Sequence, residues 1–207
     1  MFRDPLMWRN LRNTILPKYR YGNIVNIWHA GCSTGEEVYS MGILLRESGF
    51  QNKAIAYCTD INQHAINEAK AGIYHKIKMI ENENNYRQYN PLGNFQQYLY
   101  SEGTSVKMNG GIIEHCKFAY HNLVTDGYPS GVDMIFCRNV MIYFDNPAKL
   151  KILTRFHESL NPGGYLIIGF FDTMSHLMDN DKFELVNEEA KIFQKRESFK
   201  NTVNAAA

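Results

Sequence analysis

Three short stretches of the chain gather residues able to do chemistry, and each lies where a β-rich run ends. The first reads Gly31-Cys32-Ser33-Thr34-Gly35-Glu36-Glu37. Its glycines lack the GxGxxG spacing of a dinucleotide site, and no lysine follows as in a phosphate-binding loop. The turn instead opens a helix with two carboxylates. These would repel a pyrophosphate and suit a ligand with cationic centres, such as the ammonium and sulfonium of S-adenosylmethionine. Thr34 and Glu37 also have the Thr-x-x-Glu spacing of a capping box, with acids complementing the helix dipole. The two roles can coexist.

The second feature is Asp60, which closes the next β-rich run. An acid at that place accepts hydrogen bonds from ribose hydroxyls; a turn acid ahead of Asn62 would stand there too. The third stretch runs from Phe136 through Cys137-Arg138-Asn139-Val140-Met141-Ile142-Tyr143 to Asp145. Arg138 and Asn139 fall at the strand end, within reach of a ligand, and Tyr143 lies one helical turn on. By spacing alone a tyrosine between Ile142 and Phe144 is more often a core residue with a bonded hydroxyl than a catalytic group. His115 and His121 flank a β-like run and read as surface or packing residues. The seven histidines show no HExxH, no Ser-His-Asp arrangement is visible, and Cys32, Cys58, Cys116 and Cys137 are scattered without a CxxC pair. Metal sites and hydrolysis are therefore disfavoured.

The elements that must position these residues alternate. Asp4-Pro5 reads as an N-cap and first helical residue, opening a helix to about Leu16 that Pro17 ends. Strands are expected at Ile24–Ala30, Lys53–Thr59, Val132–Cys137 and Tyr165–Gly169, with helices after Gly35, Asn62 and Asn146-Pro147. Gly72 is placed to end the helix that Asn62 caps. Between residues 73 and 122 the pattern loosens into a segment rich in Asn, Tyr and Gln, with short β-like runs at Gln97–Tyr100 and Ser105–Met108. A structureless loop of that length does not suit a compact domain, so a small inserted β-subdomain is expected, ending in a core strand near Lys117–His121. Phe183–Asn187 and Lys191–Lys195 form a C-terminal hairpin on the sheet edge. The fold class is a doubly wound α/β sheet. Residues 1–200 are read as one domain and 201–207 as a disordered tail.

Of the 207 residues 44% are apolar, enough for a core without staples, and 22 basic against 21 acidic side chains leave a net charge of +1. Nothing there favours nucleic acid or an anionic membrane surface. No apolar run is long enough to insert in a bilayer, and the cysteines read as reduced thiols of a cytoplasmic protein.

The stretches Trp28-His29-Ala30-Gly31-Cys32-Ser33-Thr34-Gly35-Glu36-Glu37-Val38-Tyr39-Ser40, Thr59-Asp60-Ile61 and Cys137 to Asp145 resemble the chemotaxis receptor methyltransferase family, CheR. Phe2-Arg3-Asp4 is similar to the end of that family's Thr-x-Phe-Phe-Arg motif. The resemblance implies a Rossmann-like class I methyltransferase and transfer of a methyl group from S-adenosylmethionine to glutamate carboxylates of a receptor. It also implies a cofactor site lined by Arg3, Gly31, Glu37, Asp60, Asn122, Leu123, Arg138 and Asn139, with Arg3 and Tyr143 near the moving methyl. The insertion would match the family's β-subdomain, which docks a receptor tail in some members.

Two departures accompany the resemblance. The family's small N-terminal helical domain is expected to be absent, leaving Arg3 on a terminus that frays. Gly169-Phe170-Phe171-Asp172 stands where family members often have Gly-His-Ser-Glu, which is expected to bear on substrate recognition more than on cofactor binding. Other readings are methylation of another protein or a small carboxylic acid, and a regulatory module that holds cofactor without turnover.

Overall fold

The computed structural model describes residues 1–172 and 177–196, and the expected tail at 201–207 lies outside them. In chain order the elements are α1 (Pro5–Asn10), β1 (Val25–Ala30), α2 (Glu36–Glu47), β2 (Ala54–Asp60) and α3 (Gln63–Ala71). Next come β3 (Ile73–His75), α4 (Lys76–Tyr89), β4 (Leu99–Glu102), β5 (Ser105–Met108) and β6 (Cys116–Tyr120). The chain continues through β7 (Val132–Cys137), α5 (Asn146–Ser159), β8 (Leu160–Ile168), β9 (Phe183–Asn187) and β10 (Ile192–Lys195).

One sheet has seven strands in the order β6-β2-β1-β7-β8-β10-β9. The first five are mutually parallel, whereas β10 is antiparallel to β8 and β9. The chain builds outward from β1 through β2 to β6 and then returns to β7 on the other side of β1. Strand order thus reverses between β1 and β7, and the crevice beyond their carboxyl ends is where open α/β sheets bind ligands.

The central strands are buried on both faces because their side chains alternate between two cores. Ile27 and Phe136 join a core built with Val38 and Leu44 of α2, whereas Trp28 and Ile135 join one built with Ile152 and Phe156 of α5. Asn62 caps α3 by accepting the N–H groups of His64 and Ala65, and Gly72 ends it with φ 61°.

Three local expectations are corrected. Asp4 makes no cap bond to α1, because its carboxylate goes to Arg138, and a charge-assisted bond outcompetes a neutral cap. The single helix to Leu16 is three pieces: α1 stops at Asn10, a wider π turn spans Leu11–Ile15, and Pro17 sits inside a 3-10 turn, Leu16–Tyr19. Proline is accommodated near the start of that turn, where its missing N–H leaves no bond unmade. The strand expected in the core near Lys117 is β6, the outermost strand of the large sheet, with mostly exposed side chains.

Residues 73–108 add a three-stranded antiparallel sheet, β3-β5-β4, and the fourteen-residue helix α4, for which sequence reading gave no sign. Only Met79, Asn82, Tyr86 and Tyr89 of α4 are buried. That stripe packs on Phe2, whose ring stacks on Tyr89 at 4.7 Å and meets Tyr86 edge-on at 5.2 Å. At the far end of α2 the Glu47 carboxylate accepts the hydroxyls of Tyr86, Tyr89 and Tyr98. Burial, and then the Glu47 charge, push all three phenols up, so they remain donors. The inserted segment is thereby clamped to both α1 and α2.

Candidate functional site

The β1 turn explains its own composition. Gly31 has φ 96°, and a Cβ there would lie 2.4 Å from Val140 Cγ2, so the turn can press against the β7 loop only without a side chain. Gly35, at φ 89°, is the N-cap of α2. The capping box is therefore not formed: Thr34 stands one residue too early and donates to Glu36 Oε2 at 2.6 Å. Glu37 turns to charged partners instead.

Glu37 Oε1 lies 2.8 Å from His29 Nδ1, and Oε2 accepts from Arg138 Nη1 at 3.1 Å. Burial pushes the Glu37 carboxyl up, but the His29 bond and the Arg138 guanidinium outweigh it and hold the group below its ordinary range. Arg138, with 5% of its side chain exposed, also pairs with Asp4 and reaches the Arg3 carbonyl at 3.5 Å. One guanidinium thus ties the end of β7 to α2 and to the segment before α1. His29 was missed in the sequence. A histidine inside an otherwise apolar run, with an acid eight positions on, was the available signal.

Asp60 closes β2 with both oxygens engaged, Oδ2 accepting from the Ser33 N–H at 2.8 Å and Oδ1 from the Asn62 N–H at 2.9 Å. Each carboxylate oxygen keeps a second lone pair free for a ligand hydroxyl. After β6, Asn122 Oδ1 accepts the Val124 N–H at 2.8 Å, and the Leu123 carbonyl takes the Tyr128 hydroxyl and Arg155. His121 packs edge-on against Trp28 at 5.4 Å, in keeping with a packing role. On the β7 side Asn139 is left-handed, with φ 58°. Tyr143 sits in a 3-10 turn, Met141–Tyr143, and is 81% exposed, which overturns the core reading of that tyrosine.

The segment carrying Arg3 does not fray. Phe2 is fully buried and donates its N–H to Ser40 Oγ at 2.8 Å, while Trp8 Nε1 holds the Arg3 carbonyl at 3.0 Å. Aromatic packing of Phe2 on α4 holds this segment in place. The Arg3 side chain itself is exposed, with no ion-pair partner among the described residues.

Arg3, Gly31, Glu37, Asp60, Asn122, Leu123, Arg138, Asn139 and Tyr143 all line one cavity of about 680 Å³. From α4, Lys78, Glu81, Asn82 and Asn85 also reach it, residues that no spacing in the sequence marked. Its volume suits a small-molecule ligand. Three acids at the strand ends, Glu36, Glu37 and Asp60, suit ammonium and hydroxyl groups rather than phosphate. Burial, and then the charges of Asp60 and Glu37, push the Cys32 thiol up to about 12, so the cavity offers no thiolate nucleophile.

Residues 1–192 match the family described as CheR methyltransferase, SAM binding domain. A Pseudomonas putida protein named as methyltransferase Cher3 is 40% identical over 195 residues, covering 94% of this chain and 71% of that protein. The chemotaxis protein methyltransferase of Borreliella burgdorferi is 32% identical, covering 84% of this chain and 63% of its own length. For chemotaxis protein methyltransferase 1 of Pseudomonas aeruginosa the figures are 33%, 86% and 67%. The chain thus spans about two thirds of these relatives. Among solved structures, the N-methyltransferase NodS of Bradyrhizobium japonicum with S-adenosylhomocysteine aligns with TM-score 0.53 at 13% identity, over 94% of this chain and 86% of NodS. The StiE O-methyltransferase fragment aligns with TM-score 0.51 at 14% identity, over 87% of this chain and 52% of the fragment. These two likenesses are of fold: a class I methyltransferase sheet.

Proposed function

The chain belongs to the CheR methyltransferase family, with S-adenosylmethionine as its cofactor, and we propose that it methylates glutamate side-chain carboxylates of a chemoreceptor-like protein. The observation that carries this reading is the asymmetry of the cavity. Its strand-end side carries Glu36, Glu37 and Asp60, while Arg3 and Tyr143, which also line it, are exposed and so accessible to a large partner.

We assign Glu37 to the cofactor's ammonium, Asp60 to the ribose hydroxyls, and Gly31, Asn122, Leu123 and Asn139 to the walls of its seat. Arg138 works behind them, balancing the charge of the half-buried Glu37 and holding the Arg3 backbone beside the cavity. When bound, the cofactor would supply an electrophilic methyl on a sulfonium for the acceptor oxygen to take, the electron pair of the broken carbon–sulfur bond remaining on sulfur. A glutamate carboxylate is ionised at neutral pH, so the chain needs no strong base. Its task is alignment. Arg3 orients the acceptor carboxylate and Tyr143 positions it through its hydroxyl, without taking a proton. Holding reactants in a near-attack geometry is worth up to roughly 7–11 kcal/mol, and exclusion of water favours a step in which opposite charges vanish.

The test is incubation with methyl-labelled S-adenosylmethionine and lysate of the source cells. Label in a protein band, released by mild base as a carboxyl ester would be, supports the reading. Base-stable label, or label only in small molecules, overturns it.

A further inference from the structure

The turn after β8, Gly169-Phe170-Phe171-Asp172, takes no part in the assignments above, yet it is fastened to the site. Asp172 is 3% exposed, and its Oδ2 accepts the backbone N–H of Asn139 at 2.6 Å and of Gly169 at 2.8 Å. The amides of Met141 and Ile142, at the start of the turn that carries Tyr143, pull the pKa of this carboxyl down without making a hydrogen bond to it. Its Oδ1 has no partner among the described residues. Burial raises this carboxyl above its ordinary range although the surrounding amides pull the other way. A buried acid with one oxygen unbonded costs stability.

What it holds is a left-handed turn of backbone. Asn139 has φ 58°, a conformation that asparagine adopts more readily than most side-chain-bearing residues. The contact is backbone to backbone: a Cβ on Gly169 would lie 2.6 Å from the Asn139 nitrogen. Phe170 and Phe171 project outward from the same turn, 63% and 67% exposed.

We propose that Asp172 is the positioning residue of the transfer site, fixing the loop from Asn139 to Tyr143 through backbone hydrogen bonds, so that the cofactor wall at Asn139 and the placement of the Tyr143 hydroxyl both depend on it. The proposal rests on the roles given to Asn139 and Tyr143 above. Asp172 itself touches neither cofactor nor acceptor.

The test uses S-adenosylhomocysteine, whose binding needs no acceptor, so failure of the glutamate reading leaves it intact. Affinity is measured by calorimetry, with urea unfolding alongside, for Asp172→Ala, Asp172→Asn and Gly169→Ala. Folded Asp172→Ala should bind about tenfold or more weakly, the scale of a lost hydrogen bond to a charged group. Asp172→Asn, which keeps an acceptor oxygen, should recover most of that loss, a rescue that a general packing role would not give. Gly169→Ala sets a Cβ 2.6 Å from the Asn139 nitrogen and 2.8 Å from Asp172 Oδ2, so it breaks the same contact while keeping the acid and should weaken binding to a similar degree; it decides the matter if the Asp172→Ala chain does not fold. Wild-type affinity in folded Asp172→Ala, or in Gly169→Ala, overturns the proposal.

Discussion

Arg138 reaches across the crevice between β7 and β1 to Glu37, Nη1 to Oε2 at 3.1 Å, and so fixes the carboxylate assigned to the cofactor's ammonium. Glu37→Gln keeps the shape and loses the charge. It should weaken S-adenosylhomocysteine binding by about 1.5–3 kcal/mol, the range for hydrogen bonds to a charged group, read by calorimetry.

The same pair sets a pH dependence. The His29 bond and the Arg138 charge outweigh burial and hold the folded Glu37 below its unfolded value. Its contribution to stability is therefore complete above the ordinary glutamate range and is lost as pH falls through the lower, folded value. Urea midpoints of wild type and Glu37→Gln should differ at neutral pH and converge in acid. A constant gap at all pH values would mean that the carboxylate contributes nothing through its charge.

Asp60→Ala removes the proposed ribose contact and the bonds to Ser33 and Asn62 together. Its expected loss of cofactor affinity is about 1.5–3 kcal/mol. Asp60→Asn retains one acceptor oxygen and should fall between that variant and wild type. If both bind as wild type does, Asp60 serves only the turn.

Tyr143→Phe should leave S-adenosylhomocysteine affinity unchanged and lower turnover. Because the side chain is 81% exposed, unfolding should shift by less than about 0.5 kcal/mol. A wild-type rate would remove Tyr143 from the transfer step.

Phe2→Ala opens a cavity under Tyr86 and Tyr89 and should cost about 3–5 kcal/mol of stability. Since Phe2 precedes Arg3, turnover of whatever fraction stays folded should fall more than cofactor affinity does. Equal losses in both would place the damage elsewhere.

Sequence reading reached as far as local chemistry reaches. The turns at Gly31, Asp60 and Arg138 each end a strand by visible signals, and an alternating pattern brings strand ends to one crevice. Helix α4 was invisible because its buried stripe is two tyrosines, a methionine and an asparagine, too polar to register as an apolar face. Asp4 looked like a cap because its competitor, Arg138, lies 134 positions away, and Asp172 could not be tied to Asn139 for the same reason. The partner of a charge is set by tertiary folding, whereas the turn that presents the charge is set nearby. His29 is the exception: its neighbours in sequence carried the signal.

Helix α2 is buried without interruption from Val38 through Leu45, directly after the two acids of the site. Backbone amides in such a stretch exchange with solvent only when the whole domain opens, an event as rare as global unfolding, whereas surface loops rearrange in about nanoseconds to microseconds. The acids assigned to the methyl donor therefore keep one clock and the exposed turn carrying Tyr143 another. On the proposed function, many acceptors would arrive and leave during a single lifetime of the seat beneath them.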